Sequence, residues 1–208
     1  MTTGNAASTT VSNAGVAPPP PDTPCEELEK RNQTLRRSLA RDKRSRSIRQ
    51  NFGANGATTV AHGSLNGGGA VGATSRLLPS RYDNRVVKGL WAEPNKKKRS
   101  ARIKARSSNL CPDPPFEYDS AFRPHQSHCE SKMLEHLYNP GNGGPVSGSL
   151  LLNINWQSQA DPNSKQPCQA CRRLLCHAQQ ECEPGLVISL CQKNPKSPPK
   201  PLRCPPKS

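Results

Sequence analysis

The sequence predicts an α/β fold, helices layered on a sheet with parallel pairing, and three observations carry that expectation. After Ser127 the chain alternates helix, strand, helix, strand, an order that packs helices onto parallel neighbours. Upstream, Asn66-Gly67 between two β-prone runs marks a hairpin. The composition then limits the core. Of 208 residues, 32% are hydrophobic and 4% aromatic, with 22 Pro and 15 Gly, so part of the chain packs and part is flexible.

Residues 1–25 read as a disordered, Pro-rich linker without periodicity, with four prolines in a row from Pro18 to Pro21. Residues 26–49 read as one helix. Glu26, Glu27 and Glu29 suit its dipole, and Leu28, Leu35, Leu39 and Ile48 form a thin apolar stripe beside a long basic surface. Strands are expected over 58–65 and 70–74, and another over 85–92, before a Pro-punctuated connection over 109–124. A short helix over 128–138 places Met133, Leu134, Leu137 and Tyr138 on one face. A strand follows at 149–156 and a polar loop at 157–166. Residues 167–182 read as a helix with proline in its first position, where the missing N–H costs nothing. A buried strand over 186–191 ends the domain, which spans residues 26–191 with its core at 57–191. Residues 192–208 are expected to be a loose Pro/Lys-rich tail.

The formal charge is +15, from 30 basic and 15 acidic residues, and it is concentrated. Between Lys30 and Arg106 there are 20 Lys or Arg and three acids. Two runs dominate, one containing Arg36 and Arg37, the other Lys96, Lys97, Lys98 and Arg99. Such clusters bind polyphosphate chains by releasing counterions, so these six residues are candidate nucleic-acid contacts; the alternative is a solvated basic tail. No apolar run approaches the ~20 residues of a membrane span. The N-terminus lacks the basic and apolar regions of a secretory signal.

Nine cysteines are present, four of them (Cys168, Cys171, Cys176, Cys182) crowded near His177. Without a secretory signal, such spacing reads as metal binding ahead of a disulfide framework. Two motifs open the last two helices: His128-Cys129-Glu130 and Pro167-Cys168-Gln169-Ala170-Cys171. Together they match H-x-E…P-C-x-x-C. One imidazole and two thiolates leave the fourth tetrahedral position of a zinc ion open to water. The metal lowers the pKa of that water, and a nearby carboxylate off the metal can shuttle its proton. Glu130, two residues beyond His128, can share its cavity. Cys168 and Cys171, three apart at a helix N-terminus, lie where the dipole favours thiolate.

On these two motifs the chain resembles the cytidine deaminase-like superfamily, and within it the deaminase domains of bacterial polymorphic toxins. The resemblance implies a mixed sheet flanked by helices, with His128, Cys168 and Cys171 on Zn2+ and Glu130 as proton shuttle. It implies hydrolytic deamination of a base in DNA or RNA, with cytosine to uracil ahead of adenine. It further implies a secreted effector acting in a target-cell cytoplasm, with an immunity protein as a partner. Cys129 stands where the superfamily often has a small apolar residue, and reads as a core side chain turned away from the metal. Cys176, Cys182 and Cys191 are extra, either buried thiols, a second metal site or a regulatory disulfide.

Two rival readings remain. A zinc-knuckle nucleic-acid binder would use Cys168, Cys171, His177 and Cys182, although the spacing is one residue too long and the usual glycine and aromatics are missing. A basic architectural protein would bind no metal. Deamination of a free nucleoside leaves the charge without a purpose. Trp91, Tyr138 and Trp156 are either stacking faces or core anchors, and Asn66 is a ribose contact by analogy only. His125 and His136 lie near the motif; His136, eight residues past His128, is too far for the same ion.

Overall fold

A computed structural model describes residues 21–53, 56, 58–75, 128–138, 146–157, 162–182 and 185–206. The first helix, α1 (Pro24–Ala40), opens on a reciprocal cap. The Thr23 hydroxyl accepts from the Glu26 N–H, and the Glu26 carboxylate accepts from the Thr23 N–H at 2.8 Å. Residues 23–25, expected to end a linker, therefore begin the fold, and Cys25 is buried.

The single helix expected over residues 26–49 is two. After α1, Asp42 Oδ1 accepts from the backbone N–H of Arg44 at 2.8 Å and of Ser45 at 2.7 Å. Ser45 then caps α2 (Arg46–Phe52) by accepting from the Ile48 N–H. These short polar side chains compete with the helix for backbone donors and turn the chain. The turn lets Ile48 and Phe52 of α2 pack with Leu35, Leu39 and Val60.

Strands β1 (Val60–Leu65) and β2 (Val71–Thr74) pair antiparallel, as the hairpin signal predicts. Asn66 and Gly67 have φ of 52° and 69°, and the Gly68 N–H donates to Leu65 O, which closes a turn of the primed type. The Asn66 side chain accepts from the Ser149 N–H and donates to Ser147 O. Between them Gly148, at φ 101°, leaves room for it; a Cβ there would lie 2.0 Å from Asn66 Oδ1.

Strand β3 (Gly148–Gln157) pairs antiparallel with β1 and parallel with β5 (Leu186–Leu190), so the sheet is mixed. Its order is β2-β1-β3-β5-β6, where β6 (Lys200–Pro201) is an antiparallel edge. The stretch expected as a polar loop holds β4 (Pro162–Ser164), which pairs with the end of β3. Alternation along β3 divides the two faces. Leu150, Leu152 and Ile154 meet Met133 and Leu134 of α3 (Cys129–Leu137), and Leu174 and Leu175 of α4 (Gln169–Gln180).

The opposite face meets α1 through a polar seam. Asn32 Nδ2 donates to Asn153 Oδ1 at 3.1 Å, and Asn32 Oδ1 lies 2.8 Å from His62 Nδ1. Lys165 Nζ donates to Asn153 Oδ1 at 2.9 Å and pairs with Glu29.

The tail is not loose. Residues 192–206 fold back: Leu202 is buried in the core below α4, and Cys204 is bonded to Cys176. A second disulfide, Cys25–Cys191, ties α1 to the end of β5, and Cys182 is disulfide-bonded as well. Cys176, Cys182 and Cys191, expected first as free thiols, are therefore cystines. Pairs brought together by folding across 166 and 28 residues leave no local spacing signature.

Helix α4 begins at Gln169, so Pro167 precedes the cap instead of filling the first helical position; Cys168 is the N-cap. The arm up to residue 20, the strand over 85–92 and the connection over 109–124 lie outside the described residues.

Candidate metal centre

The N-termini of α3 and α4 meet on one side of the sheet. His128 is the N-cap of α3, with φ −72° and ψ 159°, yet its imidazole makes no capping bond and turns to α4. Cys168 caps α4, its Sγ accepting the Cys171 N–H at 3.5 Å. His128 Nδ1 lies 3.6 Å from Cys168 Sγ and 3.4 Å from Cys171 Sγ, and all three ligand atoms lie within 4.8 Å of one another.

These separations fit a shared ion. A tetrahedral metal at about 2.0 Å from nitrogen and about 2.3 Å from sulfur sets its N and S donors roughly 3.5 Å apart. The donor set of one imidazole and two thiols suits zinc, and the two helix dipoles pointing into the site favour its thiolates.

The protonation pattern follows from contact and burial. The hydrogen bond from Cys171, together with that from His128, holds the Cys168 thiol down at about 4, against the effect of burial. Cys171 is pushed far up by its hydrogen bond to Cys168, by burial and by the Glu130 carboxylate. Burial works against the His128 imidazolium, but Cys168 and Glu130 outweigh it and the imidazole is raised. Metal-free, the pair of thiols thus shares one proton, held on Cys171.

Glu130 sits in the first turn of α3, 4% exposed, and its carboxylate hydrogen-bonds the Cys171 side chain. Burial raises it, partly offset by backbone N–H donation and by His128. With His128 and Cys168 it lines a cleft of about 130 Å³, completed by Thr59, Ser75, Ile154, Trp156 and Gln166. That volume holds one small ring, well below the ~300 Å³ at which drug-sized sites begin.

The four residues expected to carry the chemistry therefore converge. No protein-family model, curated protein or solved structure matches this chain. What the site can do rests on its own geometry.

Cys129 turns away from the site, as expected. It is fully buried, and its Sγ donates to Thr59 O and Ala73 O, both at 3.4 Å, which rivets α3 to the hairpin. Trp156 is half-buried against the core, the anchor foreseen for it, and it also lines the cleft. Tyr138 packs against the core and does not line the cleft. Asn66 is tied to β3 at the end of β1 remote from Thr59, seven residues or about 23 Å away, so it does not reach the cleft.

His136 stands outside the ligand cluster. The knuckle arrangement fails on Cys182, which is held in a disulfide.

Arg36 is half-buried in the fold. It donates to Thr58 O at 2.8 Å and to Asn155 O at 2.9 Å, so it is a strut where a phosphate contact was expected. Arg37 is exposed. Lys96, Lys97, Lys98, Arg99, Trp91, His125 and Cys111 lie outside the described residues.

Sequence reasoning missed Thr59, Ser75 and Gln166, polar side chains of the cleft that carry no motif. It also missed Lys132, which is buried and donates to Thr74 O at 2.6 Å, beside Ser75.

Proposed function

We propose that the chain is a zinc-dependent hydrolytic deaminase of the cytidine deaminase-like superfamily, converting a nucleobase, cytosine to uracil in first place, within DNA or RNA. One observation carries the reading: the Glu130 carboxylate lines the same small cleft as His128 and Cys168, two of the three residues whose ligand atoms converge with Cys171.

Bound by those three residues, zinc would supply a Lewis acid that makes water reactive near neutral pH. The rest of the work falls to the chain. Water adds at the ring carbon bearing the amine, and ammonia leaves. Glu130 takes one proton from the water and gives it to the ring nitrogen, then carries the second, from the added hydroxyl, to the departing amine. Burial, which raises this carboxyl toward neutrality, suits it to both transfers. Trp156 offers the base a flat face, while Thr59, Ser75 and Gln166 offer hydrogen bonds to its edge. Expulsion of water from a cleft this small strengthens each of these contacts.

The same reading makes the chain an effector delivered to a target cell, with an immunity protein as its partner. Its cystines suit a protein that passes through an oxidising compartment. Among the described residues, no helix is long and apolar enough to cross a membrane.

The test is to incubate the zinc-loaded chain with single- and double-stranded DNA and RNA and sequence the products. C-to-T changes are expected. A-to-G changes would move the reading to adenine, and no change in any substrate would overturn it.

A further inference from the structure

The elbow between α1 and α2 concentrates exposed positive charge. Arg37, Arg41, Lys43, Arg44, Arg46 and Arg49 are all exposed. The sole acid among residues 36–49, Asp42, is buried, with its carboxylate turned onto the backbone N–H groups of Arg44 and Ser45. The sequence alone marks this run as basic. The fold shows that Arg36 leaves it to become a strut, and that the other six stay outside.

The elbow also stands at the cleft's end of the sheet. Arg36 bonds Thr58 and Asn155, whose chain neighbours Thr59 and Trp156 form the cleft wall. The apolar side chains of α2, Ile48 and Phe52, are spent in the core. Among the described residues the only large hydrophobic side chain that is exposed is Val187, on β5. A helix that lies on a membrane needs an apolar face to bury, and this one has none left. An arginine-rich surface without apolar wedges suits phosphate oxygens, which guanidinium forks bind in pairs.

We infer that the α1–α2 elbow holds the phosphate backbone of a single-stranded nucleic acid whose base enters the cleft, an inference that rests on the nucleobase reading above. An unpaired strand suits it because a base must leave its stack before reaching so small a cleft.

The experiment measures binding of the full-length, zinc-loaded chain to fluorescent 12-mers of thymidylate and of uridylate, which offer no base to deaminate. The triple variant R41A/K43A/R44A is compared with K196A/K200A at the opposite, β6 edge. Each lost phosphate contact lowers the slope of log K against log salt by about 0.7, so the elbow variant should lose about two units of slope. Its loss of affinity between 50 and 200 mM salt should then shrink roughly 20-fold. The edge variant should match the parent, and an identical slope for the DNA and RNA probes would assign the surface to the phosphates both share.

An unchanged slope in the elbow variant, or an equal loss in the edge variant, overturns the inference. Binding to phosphatidylserine vesicles but to neither 12-mer overturns it as well. Strand binding lost with the elbow, in a chain that converts no base, would keep this surface and sink the deaminase reading.

Discussion

His128 Nδ1 lies 3.4 Å from Cys171 Sγ, although 43 residues separate them. The contact exists because two helices end at the same place, each capped by a residue that also faces the other. His128 spends no capping bond on α3, and Cys168 caps α4 with the sulfur that faces the imidazole.

Glu130→Gln keeps the shape and burial of the side chain and removes its proton acceptor. Base conversion should fall by about 10²–10⁴-fold, the usual contribution of a positioned acid or base. Zinc per chain, read by atomic emission on the same preparation, should stay at one. Turnover at the parent rate would exclude Glu130 as the shuttle.

Zinc affinity should rise with pH in two regimes. Metal-free, Cys168 is already a thiolate, while Cys171 and the raised His128 hold protons that a metal must displace. Below the His128 pKa two protons leave per ion, and affinity should climb about a hundredfold per pH unit. Above it one leaves, and the climb should slow to about tenfold. Competition against a chromophoric chelator across this range checks the break.

Cys168→Ser and Cys182→Ser should part company. The first removes a ligand and should release the metal. The second breaks a disulfide and should lower the melting temperature while zinc stays bound. Loss of zinc from Cys182→Ser would restore the knuckle reading.

Lys132 should make stability depend on alkaline pH. Burial pushes its ammonium down to about 8 from 10.5, with the nearby Cys129 and Glu135 only partly compensating. The unfolded chain therefore binds the proton that the folded chain has released, and stability rises with pH between these values. Taken as the difference between the parent and Lys132→Met, which cancels the opposite pull of the buried Cys129 thiol, the gain from pH 8 to pH 10 should be about 2 kcal/mol by urea unfolding. Parallel profiles in the two chains would mean that the ammonium stays charged in the core.

Part of this architecture is readable in one dimension because it depends on neighbours in the chain. Asn66-Gly67 predicts its turn from backbone sterics alone, and the positive φ of both residues follows. The apolar positions of α3 and β3 predict their faces by period. The two motifs predict the ligands, since a histidine and a Cys-x-x-C at helix starts have little else to do in common. The break after α1 was legible too, in Asp42 and Ser45, but a run of good helix formers hid it.

By itself, then, the sequence determined which side chains could hold an ion, which carboxylate stands beside them, and the helix–strand alternation of an α/β layer. Only the tertiary structure decided that they meet. It also decided which cysteines pair, that residues 192–206 close over α4, that Arg36 braces the hairpin, and that Thr59, Ser75 and Gln166 complete the cleft. The physical reason is range. Turn chemistry and helix periods act over a few residues, whereas a cystine, a buried strut or a cleft wall is chosen by packing between segments far apart in the chain, where no spacing records the contact.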